Sequence, residues 1–439
     1  MPSVPNVPDF IPPLQPEPPL RPMPTQSGRA QLLTTMRSLP RNVYILYLFT
    51  LGKGFQLTIA LLNITYYAHS LGYRPDFIGV LNAASAIGAL VGAVPTGLLA
   101  DRLGRKPMLL VSAVLTPLFL ICIGLVTSAP LLLLFSFLQG VVATAYWVTN
   151  VPLLIENTTE QQRVGVLAFN SFLLLGVGAL GNLLGGAIPE FVAGMLHVSA
   201  ASTVPLRWGV LAAALFTIVF GIPLWFLQET KRQKVQVSTT IVPSEKHQED
   251  AREHLPVLLF VKLLLPDLLF TMGEGAVVGL IQLYFVLRFR LLPGPLGLIF
   301  TISGLAAGLF SLTAPLFVRR WSKLRIITVV QYLSAPLMIL IGFAPTLPLA
   351  IAGEYTRSFM RTLIEPIYMA FAMENVSDRY RGRLSGFYST TWSIGFSIGP
   401  SIAGWLQTNV SLSTSFLFGA FCLVLAPSLL LVFFGKRYV

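Results

Sequence analysis

The sequence predicts an all-α polytopic membrane protein, with twelve transmembrane helices arranged as two pseudo-symmetric six-helix bundles. Three observations predict it. Of 439 residues, 54% are apolar and only 11% charged, whereas a soluble domain carries about a quarter Asp, Glu, Lys and Arg. The apolar residues gather into twelve stretches, and at about 20 residues per span these use about 240 residues, leaving the remainder for tails and turns. The chain also repeats itself at an offset near 218 residues.

Taken in order, residues 1–40 hold ten prolines between Pro2 and Pro24 and no apolar run long enough for a signal peptide. They are expected to form a disordered cytoplasmic tail. Apolar stretches follow at 43–67, 76–99, 107–127, 130–154, 165–189 and 207–227, the expected N-terminal bundle of residues 41–227. Residues 228–254, rich in Lys, Glu, Asp and Gln, read as a solvated cytoplasmic linker. Six more stretches at 264–287, 296–318, 325–344, 347–372, 384–407 and 414–434 belong to a C-terminal bundle of residues 255–439.

Charge placement orients the chain. With the N-terminus cytoplasmic, 23 Lys and Arg fall on that side and four (Arg74, Arg207, Arg288, Arg290) on the other, and basic loops stay cytoplasmic. Both termini are therefore expected in the cytoplasm, with the chain multi-pass in a plasma or inner membrane. The same asymmetry accounts for the net charge of +12 by topology, so no nucleic-acid partner is expected. Cys122 and Cys422 lie inside apolar runs and indicate neither a disulfide framework nor a metal cluster. No HExxH or CxxC is present; no enzyme activity, cofactor or metal is expected. The expected partners are a small-molecule substrate, a proton as coupling ion and the lipid bilayer, with the protein a monomer.

The repeat is carried by several elements at once. Glu156-Asn157-Thr158-Thr159-Glu160-x-x-Arg163 after the fourth span matches Glu374-Asn375-Val376-Ser377-Asp378-x-x-Arg381 after the tenth, 218 residues on. At the same offset Gly181-Asn182-x-x-Gly185-Gly186 matches Gly399-Pro400-x-x-Ala403-Gly404. Phe49-Thr50-Leu51-Gly52-Lys53-Gly54 in the first span matches Phe270-Thr271-Met272-Gly273-Glu274-Gly275 in the seventh at an offset of 221. Halves with an even number of spans start on the same side and are related by an axis along the membrane normal.

The turn between the second and third spans reads Gly97-Leu98-Leu99-Ala100-Asp101-Arg102-Leu103-Gly104-Arg105-Lys106-Pro107. This resembles the loop signature of the major facilitator superfamily, and the resemblance extends over about residues 41 to 437. It implies a charge relay of Asp101, Arg102 and Arg105 at the cytoplasmic mouth, with Gly97, Gly104 and Lys106 completing the gating motif. Asp101 and Arg105 are four apart and pair if the turn is helical; the alternative is a simple topology anchor. Gly395-x-x-x-Gly399-Pro400-x-x-Ala403-Gly404 resembles a motif of the family's drug:proton antiporter branch. That branch's pattern is departed from at Asn182, where it has proline, and at Ser136-Phe137-Leu138-Gln139-Gly140, where it has an arginine before x-x-Gln-Gly. The second-half loop, Pro315 to Lys323, lacks the acid, which predicts an asymmetric gate.

Six ionisable residues are read as lying within the spans: Lys53, Glu274, Glu354, Arg357, Arg361 and Glu365. Each costs about 3 kcal/mol unpaired at mid-depth, so they must face one another or water, and their signs cancel. Lys53 and Glu274 occupy equivalent repeat positions with opposite sign; they are expected to bridge in one access state and part in the other, or to form a permanent bridge. Spacings of three, four and four put Glu354, Arg357, Arg361 and Glu365 on one stripe of the tenth helix. That stripe reads as a closed ion network, as a proton site, or as an anion site built on the planar forks of Arg357 and Arg361. Glu274 and Glu365 are favoured for protonation, since Glu354 beside Arg357 stays ionised. Gln139, Tyr146 and Asn150 share a stripe whose repeat mates are Arg357, Ile364 and Tyr368; Asn63, Asn82, Asn170, Gln282, Trp147 and Trp392 are further candidate lining residues. The reading is a secondary transporter working by alternating access, exporting a small, largely apolar, multidrug-like organic solute against protons. The alternatives are an organic-anion or polar-metabolite carrier using Arg357 and Arg361, and a non-transporting membrane sensor or scaffold.

Overall fold

The computed structural model describes residues 39–228, 257–311 and 321–438. The expected tail through residue 38, the linker from residue 229 and the loop residues Arg319 and Arg320 lie outside the described residues. The first six spans are α1 (Arg41–Ser70), α2 (Pro75–Leu103), α3 (Arg105–Leu125), α4 (Ala129–Glu156), a two-piece α5 (α5a Glu160–Ser171, α5b Leu180–Leu196) and α6 (Thr203–Gly221, ending in the 3-10 turn Ile222–Phe226). The second six are a two-piece α7 (α7a Val257–Val278, α7b Ile281–Phe289), α8 (Pro293–Ser311), α9 (Lys323–Phe343), α10 (Leu347–Glu374), α11 (Asp378–Asn409) and α12 (Thr414–Tyr438).

Nine of these spans are long and apolar enough to cross a membrane; α7, α10 and α11 are not among them. The shortfall has a physical cause in each. α7a carries Lys262, Asp267 and Glu274 within its length, α10 carries the four-charge stripe, and α11 is rich in Ser, Thr and Gly. These three reach membrane depth because their polar groups are satisfied by neighbours rather than by lipid.

The pairings inside the two halves repeat. α1 packs on α5 and α6 as α7 packs on α11 and α12, and α3 packs on α4 and α6 as α9 packs on α10 and α12. Small residues set the closest approaches: a Cβ on Gly181 would strike Thr58 and Phe55 of α1, and one on its repeat mate Gly399 would strike Met272 and Ala276 of α7a. The contacts between halves obey the same symmetry, α2 lying along α11 and α5b along α8.

Two breaks depart from the continuous spans expected at 165–189 and 264–287. In the fifth span Phe172–Val177 is π-helical, where Gly54 of α1 crosses close to Gly178. Carbonyls near the break are taken by hydroxyls, Thr58 donating to Gly178 O at 2.8 Å and Thr301 to Ala179 O at 3.2 Å. In the seventh span the helix stops at Gly279–Leu280, and the Asn82 amide of α2 donates to Gly279 O at 2.8 Å. That bond crosses between halves, as do Tyr66 hydroxyl to Leu291 O, the Asp76 N–H to the Thr408 hydroxyl (2.9 Å) and the Gly294 N–H to Glu190 (3.0 Å). All four lie in the part of the molecule away from the termini. Asn82→Ala leaves the Gly279 carbonyl unpaired in a half-buried place, at a cost of about 1–3 kcal/mol; a lowered thermal unfolding midpoint of the detergent-solubilised protein checks it.

Candidate functional site

Three charges are fully buried between α7a and α10. Arg357 donates from Nε and Nη2 to the two carboxylate oxygens of Glu354 at 2.9 and 3.0 Å, and from Nη1 to Glu274 Oε2 at 2.5 Å. The exposure of the three residues is only 2–3%. Arg361, one turn further along α10, brings its Nε to 3.8 Å from the same Glu274 oxygen with its side chain 34% exposed. One more turn on, Glu365 is exposed. The stripe on α10 is therefore graded, running from a sealed ion pair to an accessible carboxylate in the direction of the termini.

The six charges do not meet in one cluster. Positions 354 and 365 share a face but stand about 16 Å apart along the axis, which separates Glu365 from the buried trio. Lys53 does not touch Glu274 in this state. Glu274 is occupied by Arg357, while the Lys53 ammonium, buried in α1, stands 5.8 Å from the Tyr146 ring centroid and has no hydrogen-bond partner among the described residues. Around it Thr50, Tyr146, Asn150 and Asn170 form a buried polar network, with Thr50 donating to Asn170 Oδ1 at 2.8 Å and Asn150 Nδ2 donating to the same oxygen at 3.2 Å.

The other lining candidates divide. Asn63 ties α1 to α5b by donating to Gly185 O at 2.9 Å, and Gln139 accepts from the Ser85 hydroxyl at 3.0 Å; both are packing contacts. The Tyr368 hydroxyl is spent on Leu263 O at 2.8 Å. Gln282 is buried in α7b beyond the break. Trp147 and Trp392 are exposed, Trp392 stacking on Phe396.

One buried acid was missed. Asp267 of α7a falls inside the span expected at 264–287, yet was not counted among the spans' charges. Its Oδ2 lies 2.5 Å from the Thr391 hydroxyl of α11. Counting every Asp in the predicted span would have found it.

At the terminus-bearing ends, Gly104 adopts φ +99°, a conformation that favours glycine, and stops α2 before Arg105. The expected Asp101–Arg105 pairing within a helical turn is thereby replaced: Arg105 turns to Glu156 at the end of α4, 2.5 Å away. The second half repeats this clasp as Lys323 with Glu374, each partner displaced by 218 residues. Asp101 and Arg102 are exposed, Lys106 is half-buried, and nothing stands within 4 Å of the place a Cβ on Gly97 would take.

The sequence profile of the Major Facilitator Superfamily matches residues 45–400 and, in a second alignment, 263–439. The chain belongs to that superfamily, and is an integral membrane transporter of small molecules rather than an enzyme. The Multidrug resistance protein MdtG of Dickeya zeae (strain Ech586) is 27% identical over 403 residues, covering 88% of this chain and 91% of its own. The Quinolone resistance protein NorA of Staphylococcus aureus (strain MSSA476) is 22% identical over 369 residues, covering 83% and 89%. The crystal structure of a D-xylose-proton symporter superposes with a TM-score of 0.70 at 16% identity, over 93% of this chain and 98% of the other, which establishes the shared fold.

Because Arg357 serves two buried carboxylates, Arg357→Ala strands Glu354, leaves Glu274 only the longer contact to Arg361, and costs about 3–5 kcal/mol. Adding Glu274→Gln and Glu354→Gln removes the stranded charges and recovers at least half of the loss, as thermal unfolding of the single and triple variants will show.

Proposed function

We propose that the protein exports a small, largely apolar organic solute in exchange for protons. It sits as a monomer in a plasma or inner membrane with both termini cytoplasmic, and it moves two halves, residues 41–227 and 255–439, about a central site. The observation that carries this reading is the position of Glu274. Its carboxylate is shared by Arg357, which is sealed, and Arg361, which is partly open. Protonating it removes the charge that joins both guanidinium groups to α7 and leaves Arg357 to Glu354 of its own helix, so proton binding is linked to rearrangement between α7 and α10. Glu274, Glu354, Arg357 and Arg361 sum to zero charge, which leaves no net field to favour an anion. The names of the two resistance-protein relatives agree with a drug-like solute.

A second reading, transport of an organic anion, rests on one observation. The Arg361 Nε has no hydrogen-bond partner among the described residues, and its partly exposed donor fork is suited to a carboxylate.

Proteoliposomes with an imposed pH gradient separate the two readings. Ethidium is expected to move against the gradient in the wild type, and Glu274→Gln to lose at least tenfold of the gradient-driven rate. Uptake of carboxyfluorescein but not ethidium, abolished by Arg361→Ala, would replace the first reading with the second.

A further inference from the structure

The buried acid outside the ion cluster carries a function of its own. Asp267 is seven residues before Glu274 on α7a, two turns and about 10 Å away on the same face. Unlike Glu274 it has no Lys or Arg within ion-pair distance among the described residues. The groups around it come from three helices. α11 presents Thr391 and Tyr388, and α10 presents Tyr368 and the exposed Glu365 within electrostatic reach. α12 places Cys422 against Gly273, further along α7a. On α7a itself Lys262, five residues away, points about 140° around the helix from Asp267.

The hydrogen inventory at this spot accommodates a protonated Asp267. The Thr391 hydroxyl has two oxygen neighbours, Asp267 Oδ2 at 2.5 Å and the Tyr388 carbonyl at 2.9 Å. A hydroxyl owns one hydrogen, and an ionised carboxylate and a carbonyl are both acceptors only. With Asp267 ionised, the two contacts compete for the single Thr391 hydrogen. With Asp267 protonated both are filled: the carboxyl O–H donates to the Thr391 oxygen, and the Thr391 O–H donates to the Tyr388 carbonyl. A neutral carboxyl also removes the penalty of a bare buried charge.

We propose that Asp267 is a second proton-carrying carboxyl, in series with Glu274, whose proton is held or released through rotation of the Thr391 hydroxyl. On release the Asp267 O–H bond breaks and its electron pair stays on the carboxylate. The proton passes to water entering past Glu365, leaving as hydronium. The Thr391 hydroxyl then turns from the Tyr388 carbonyl to Asp267 Oδ2, so the new carboxylate keeps one donor. The place of this step in transport rests on the proton-coupled reading above, whereas the protonation itself is measurable without any solute.

The test is infrared spectroscopy of the full chain in lipid nanodiscs over a pH series. A protonated-carboxyl stretch is expected near neutral pH that disappears as the pH is raised, is missing at every pH in Asp267→Asn, and survives in Glu274→Gln. Thr391→Val should displace the pH of its disappearance by about one unit, the worth of one hydrogen bond to a charged group, and Thr391→Ser should restore it. A band indifferent to Asp267→Asn overturns the assignment. A band that persists at the highest pH overturns proton release and leaves a fixed structural acid. If Asp267→Asn does not fold, the Thr391 pair gives the same discrimination. Failure of ethidium to follow a pH gradient in the wild type would instead count against the coupled-export reading, with the infrared result standing apart.

Discussion

A guanidinium buried between two carboxylates constrains everything around it. A bare charge at this depth is not tolerated, and even a good pair only offsets its own desolvation. Arg357 meets that condition because a planar fork with five donors serves Glu354 through two bonds and Glu274 through a third. The trio alone would carry one excess negative charge; Arg361 at the edge brings the group to neutrality. Two helices are thereby coupled by a contact whose strength depends on the proton content of one carboxyl. That is the property an ion-coupled carrier needs, and it explains why α7 and α10 do not look like ordinary membrane spans.

The fold was legible because its signals are redundant. Twelve apolar stretches, the 218-residue offset and the basic asymmetry each point to the same topology, and end errors of a few residues, such as α11 starting at 378 rather than 384, leave it unchanged. The breaks were not legible. Gly178 and Gly279 resemble any glycine in a membrane helix, and what makes them breaks is a partner distant in sequence, Thr58 in one case and Asn82 in the other.

The site was legible as a set of residues and illegible as a set of pairs. Period-based reasoning puts Glu354, Arg357, Arg361 and Glu365 on one face, but a face does not state depth. Only depth distinguishes the sealed Arg357 from the exposed Glu365. Repeat equivalence suggested that Lys53 and Glu274 meet, yet Arg357, the repeat mate of Gln139, takes Glu274 first. The same equivalence would have served better at the loops. Arg105 and Lys323, and Glu156 and Glu374, are both displaced by 218 residues, and a pairing repeated at one offset is stronger support than helical spacing across a turn that contains glycine.

The loop clasps bear on the proposed movement of the halves. Arg105–Glu156 and Lys323–Glu374 each close within one half, joining the start of its third span to the end of its fourth. Partly exposed pairs of this kind contribute about 0–1 kcal/mol, so their value is geometric: each half keeps its terminus-side ends in register as a unit. Between halves, in the part of the molecule away from the termini, the fit relies on glycines and prolines of α2, α5b, α8 and α11 meeting backbone to backbone, with five hydrogen bonds across the seam among the described residues. Contacts of that type release without stranding a charged pair in a dry interior. In the proposed rocking of the two halves, charge pairing inside each half would keep the units rigid and small-residue packing between them would let the seam move. A carrier whose two halves rock past a central site requires that division.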